Sequence, residues 1–183
     1  MTQVTIVTLF GRFRGGLNLM SAAGQTIRLL DLLNYPQRVQ AAGATVAGRA
    51  SPGLVLHQAV RRDLRRTEEF PCGEAMTIRA EAVVMAWEEE THEQTSAARQ
   101  AAMGYEKRVV AEKGRVFVHL LNGLRLEGSL IGGLVALEPG RLAGKSFLPL
   151  TEVIVIDPVI AAPPAFVPFA ALNVHQMESY GAL

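Results

Sequence analysis

The sequence predicts a mainly β protein: two tandem small β-barrel-like units joined by a helical or flexible connector, with a short helix inserted in the first. Three features of the chain point to it. Residues 115–157 read as short strands that alternate in hydropathy and are separated by turn residues. The first sixty residues carry a looser copy of that pattern. The chain of 183 residues is 49% hydrophobic and only 19% charged, enough apolar side chains for a core and few charges for a surface. The expected layout is a first β unit over residues 1–90, a connector over 91–108, a second β unit over 109–157 and an apolar, proline-rich tail over 158–183.

The run Val4-Thr5-Ile6-Val7-Thr8-Leu9 is rich in β-branched residues and opens the first unit as a strand. Gly11 turns it, and Arg12 to Leu17 return. Residues 26–34 are apolar at Ile27, Leu29, Leu30, Leu32 and Leu33 and stop short of Pro36, which predicts a short buried helix. A weak strand is expected near Ala44-Thr45-Val46, and another over residues 54–60. Residues 76–87 form the longest β candidate, with Ile78, Ala80, Ala82, Val84 and Ala86 on one face and Trp87 on the other. This segment is expected to close the first unit.

Residues 91–108 change character. They are alanine-rich and polar, with no β-branched run after Thr95, as suits a helix or a flexible connector. Val109-Val110 is placed to pair with Val116-Phe117 across Lys113-Gly114. Val116, Val118 and Leu120 share one face of the next strand, and Asn122-Gly123 suits a two-residue hairpin turn. Leu124, Leu126 and Leu130 return, with Arg125, Glu127 and Ser129 opposite, and Gly128 marks a bulge or sharp bend. Residues 134–137 read as a short strand between Gly132-Gly133 and the Glu138-Pro139-Gly140 turn. Phe147-Leu148 and residues 153–156 are the last β runs, and Pro149 between them marks an edge, a bulge or a join.

With one gap at the turn, Val4 aligns with Val116, Leu9 with Leu121, and Arg12, Gly15 and Leu17 with Arg125, Gly128 and Leu130. Leu54, Leu56 and Asp63 then align with Leu148, Leu150 and Asp157. Order and spacing agree, which predicts an internal duplication. The pattern Val116-x-Val118-x-Leu120-x-Asn122-Gly123, Leu126-x-Gly128-x-Leu130 and the closing Val153-Ile154-Val155 resembles the Sm-like and related small SH3-like barrels. The resemblance covers under a third of the chain. It implies ring assembly through edge strands and, often, RNA binding. The chain departs from that pattern after Leu130, where no Asp-x-x-x-Asn loop follows.

Between Asp157 and Glu178 there is no Asp, Glu, Lys or Arg, and Pro158, Pro163, Pro164 and Pro168 oppose a regular helix or a central strand. Such a tail is expected to lie extended over apolar surface, either its own unit or a neighbouring subunit, with Phe166, Val167 and Phe169 as the docking side chains. Arg61, Arg62, Arg65 and Arg66 are the candidate nucleic-acid or anion-binding residues, because planar guanidinium groups suit phosphate. Asp63, Glu68 and Glu69 stand ready to neutralise them, so a salt-bridged surface is the plainer alternative. A net charge of +1 lacks the basic excess of a dedicated nucleic-acid binder.

Other chemistry has little to rest on. Cys72 is single, which excludes an internal disulfide and a multi-cysteine metal site, and no histidine is tied to it by spacing. Glu88, His92 and Glu93 would share a helical face, the pattern of a charged helix start, and no metal or cofactor is expected. Gly15-Gly16 and Gly132-Gly133 lie in hairpins and are not phosphate loops. His119 reads as a hydrogen-bonded structural residue. The opening residues lack a basic segment and a long apolar core, and no apolar stretch has the length of a membrane helix, so a cytoplasmic protein is expected. The function expected is non-catalytic: a β-barrel interaction or scaffold protein that self-associates or joins a larger assembly. The alternative is an Sm-like nucleic-acid-binding or regulatory module using the Arg61–Arg66 patch.

Overall fold

The β-branched opening run forms β1 (Thr2–Thr8), and a tight turn returns it as β2 (Gly11–Leu17). Thr8 fixes that turn: its Oγ1 accepts from the N–H groups of Phe10 and Gly11 at 3.3 and 3.2 Å. A short helix α1 (Leu29–Asn34) buries Leu29, Leu32 and Leu33, and so is shorter than the apolar run that predicts it. Then come β3 (Val46–Ala47), the long β4 (Gly53–Asp63), β5 (Glu69–Pro71), β6 (Ala75–Arg79), a 3-10 turn (Ala80–Ala82) and β7 (Val83–Glu88). The second half runs β8 (Lys113–Leu120), β9 (Arg125–Ile131), a 3-10 turn (Gly133–Leu137), a one-turn helix α2 (Pro139–Leu142) and β10 (Phe147–Ile156). It ends with β11 (Ala165–Asn173), a 3-10 turn (Val174–Gln176) and β12 (Met177–Ala182). This computed structural model describes residues 1–20, 24, 26–35, 46–47, 53–64, 66, 68–89, 113–142, 144–158 and 163–183. The connector expected over 91–108 and the strand expected at Val109-Val110 lie outside the described residues.

The mainly β class holds, and the described strands make one antiparallel sheet in the order β12-β8-β9-β10-β11-β7-β1-β2-β4-β3. β5 and β6 pair with β4 along stretches that β2 and β3 also flank, so they lie on its far side. The sheet is open and is not closed into a barrel. The strand order β7-β1-β2-β4 in the first half matches β12-β8-β9-β10 in the second, and β5 with β6 runs along β4 as β11 runs along β10. The halves meet where β11 pairs with β7, at Ala171 opposite Ala86 and Leu172 opposite Met85.

Two apolar clusters fill the halves, and the joining strands feed both. Val83 and Ala86 of β7 belong to the first cluster, whereas Val84, Met85 and Trp87 belong to the second. Phe147 and Ala171 from the second half complete the first cluster. This double duty explains why alternation misleads over residues 76–87. The segment bends at Ala80–Ala82, and Val83 to Trp87 are all buried because β7 has apolar neighbours on both faces.

Three further expectations are corrected. Residues 134–137 form part of a 3-10 turn, not a strand; Gly132 at φ 82° enters it, and only Leu137 is buried there. The two β runs around Pro149 are one strand, β10. Its register with β9 covers Thr151 to Ile156, so the proline falls where that side of the strand needs no N–H. The segment after Asp157 is extended, but as β11 and β12 of the sheet. Pro168 fits because it stands across from Glu152, where the β10 backbone departs from the ladder at φ 54°, and because β7 reaches β11 only at Ala171 and Leu172.

Candidate functional site

The junction of the two halves is built from asparagines as well as apolar contacts. Asn34, last residue of α1, grips the backbone of Phe147 at both ends: its Nδ2 donates to the carbonyl at 2.9 Å and its Oδ1 accepts from the N–H at 2.8 Å. Asn173, buried at the end of β11, donates from Nδ2 to the Val83 carbonyl at 2.7 Å and accepts the His175 N–H at 3.0 Å. Asn122, from the β8–β9 turn, donates to the Thr8 carbonyl at 3.2 Å. A short strand pairing is thereby flanked by side-chain bonds to backbone groups that the ladder leaves open.

The sheet ends in unpaired edges. Among the described residues, β12 pairs only with β8, and β5 and β6 pair only with β4. These strands are largely exposed, with Tyr180 at 47% on β12 and Phe70 half-exposed on β5. The three docking residues expected on the tail separate. Phe166 is 65% exposed and Phe169 partly exposed, but Val167 is buried in the second core and cannot dock a partner. Alternation along β11 turns Val167 inward.

The four arginines read as one patch are spread apart. Arg61 pairs with Asp63 at 2.7 Å and lies over the Phe13 ring. Arg62, its neighbour on β4, points to the opposite face. There it meets Arg12, its direct partner across the β2–β4 ladder. Arg66 lies on a wide cleft, and Arg65 lies outside the described residues. The face that holds Arg12 and Arg62 contains a cavity of about 190 Å3, lined also by Thr5, Arg14, Glu69, Trp87 and Glu89. Arg12 lies with its guanidinium 5.5 Å from the centre of the Trp87 ring, and its buried Nε has no hydrogen-bond partner. Burial, and then the charge of Arg62, hold its pKa below the ordinary arginine range, while Asp157 and Glu89 act in the other direction.

The larger cleft, about 700 Å3, is open and lies between the β1–β2 and β8–β9 turns. Leu9 and Leu121 line it, as do Asp63 and Asp157, two pairs that the sequence alignment of the halves brings into register. Cys72 is half-buried, its Sγ directed at the Phe70 carbonyl 3.8 Å away. Of the residues weighed as metal ligands, Glu88 accepts from the Leu29 N–H at 3.3 Å, while His92 and Glu93 lie outside the described residues. No group of three ligating side chains occurs among the described residues. His119 contacts Ser179 Oγ at 3.1 Å across the β8–β12 pair. Among the described residues no helix is long and apolar enough to cross a membrane.

Comparison of the chain with protein-family models, curated proteins and solved structures finds no match. The arginine–tryptophan cavity went unnoticed in the sequence because Arg12 and Arg62 become neighbours only through the β2–β4 register. The asparagine clamps have no local signal either, since each joins segments about 90 or more residues apart.

Proposed function

We propose that this chain is a non-catalytic assembly subunit. It comprises two β units related to each other by duplication, the second resembling Sm-like and SH3-like barrels in its Asn122-Gly123 turn and Leu126-x-Gly128-x-Leu130 pattern, and it binds further copies of itself through its free edges. The β11–β7 seam carries this reading. It is an edge-to-edge contact in which the fourth strand of one unit pairs with the last strand of the other. Among the described residues, the same two kinds of edge remain unpaired at the outer ends, as β6 in the first unit and β12 in the second. A second copy that sets its β12 against β6 of the first would repeat the seam between chains. Such a head-to-tail contact closes into a ring when its rotation permits and otherwise grows a filament. Exposed edges of this kind invite pairing in any case, and a dedicated partner strand is the way a soluble assembly uses them.

Co-expression of two differently tagged copies of the full chain tests self-association. Purification through one tag should recover the other in fixed proportion. Recovery of one tag alone would reject it.

A further inference from the structure

We propose that the Arg12–Arg62 cavity binds the phosphate group of a small phosphomonoester. Two like charges placed directly opposite on neighbouring strands destabilise a sheet. Here one of them, Arg12, is half-buried, with a buried Nε that finds no acceptor among the described residues. No carboxylate among the described residues is within ion-pair distance of Arg12 or Arg62, and Asp157 and Glu89 act on Arg12 from farther away. The two acidic residues of the cavity have other partners in its wall: Glu69 faces Arg14 at 3.5 Å, and Glu89 accepts from Thr5 Oγ1 at 2.6 Å. An oxyanion seated between the two guanidinium groups adds to the partial counter-charge that Asp157 and Glu89 give Arg12, and accepts from the planar N–H forks, a geometry that suits phosphate. Three guanidinium groups against two carboxylates leave the lining positive.

Size limits the ligand. The cavity, about 190 Å3, falls below the roughly 300–1,000 Å3 of sites for drug-sized molecules. It has room for a phosphate and a short organic body. Trp87 lines the cavity, with the Arg12 guanidinium over its ring.

Trp87 is the chain's single tryptophan and reports directly on the site. The full chain is titrated with glycerol phosphate and with inorganic phosphate at ionic strength held constant with chloride, following tryptophan emission. A saturable change is expected, tighter for the ester than for inorganic phosphate, and weakened ~10-fold or more in Arg62→Gln, as the loss of a charge-assisted hydrogen bond predicts. Arg62→Lys keeps the charge without the fork and serves if the Gln variant loses its fold by circular dichroism; it should also bind more weakly. Four results would overturn the proposal: no saturable response, affinity unchanged in the folded variant, inorganic phosphate binding as tightly as the ester, or a response to a single-stranded oligoribonucleotide alone.

Discussion

Gln58 and Glu152 occupy the same place in the two halves of the sheet, at φ of 50° and 54°, and each faces a glycine on the neighbouring strand. Among the described residues they are the only non-glycine residues with positive φ. Gln58 precedes Asp63 by the same interval as Glu152 precedes Asp157. At each site one glycine, Gly15 or Gly128, opposes two residues of the long strand, so a bulge bends β4 and β10 alike. The strain has a use: it curls the sheet around each core.

The glycines of these bulges should not tolerate a methyl group. A Cβ on Gly15 would lie 2.9 Å from the His57 carbonyl oxygen, and one on Gly128 would lie 2.9 Å from Leu150 Cγ and 3.0 Å from the Thr151 carbonyl oxygen. Gly15→Ala and Gly128→Ala should each lower stability by about 1–3 kcal/mol, read from urea unfolding midpoints.

The opposite change at Gln58 should stabilise. Its side chain is exposed, and the left-handed conformation costs a non-glycine residue about 1–2 kcal/mol. Set against the greater entropy glycine loses on folding, Gln58→Gly should gain up to about 1 kcal/mol in the same assay. Glu152→Gly should gain less, because Glu152 also accepts from Ser129 Oγ at 2.9 Å.

Asn34→Ala should cost about 1–3 kcal/mol, since it strips both the N–H and the carbonyl of buried Phe147 of their partner. Asn34→Asp keeps the acceptor, but its carboxylate has no proton to donate to the Phe147 carbonyl near neutral pH; protonation restores a donor, so the cost should be smaller at acidic pH. Hydrogen exchange at the Phe147 amide distinguishes the local effect from a global one.

Asn173→Ala removes a buried donor and acceptor at the seam and should cost about 1–3 kcal/mol. Because β7 serves both cores, the loss should appear as one cooperative unfolding transition for both halves. Two separate transitions in calorimetry would show that the seam does not couple them.

Much of the β architecture was legible because its signals are local. Asn122-Gly123 does turn the chain, with Gly123 at φ 86° and its N–H donating to the Leu120 carbonyl at 2.8 Å. Gly128 does mark a bulge, and Leu54, Leu56, Leu126 and Leu130 are buried as their alternation requires. Pro168 misled because the rule against proline in a central strand assumes a continuous ladder, and here the ladder is broken at Glu152. Residues 76–87 misled because a strand shared by two cores buries both faces. The pairings that make the cavity and the clamps, Arg12 with Arg62 and Asn34 with Phe147, depend on long-range register, which no local pattern encodes.

Self-association through the free edges is tested most directly by light scattering on the full chain and on the Thr77→Lys/Tyr180→Lys double variant. Both residues are exposed on their edge strands, so the lysines should leave folding intact while placing like charges across any β6–β12 joint. The account predicts a mass of two or more chains of 19.7 kDa for the unaltered protein and the mass of a single chain for the variant. A single-chain mass for the unaltered protein, or the same multiple in both, would contradict it.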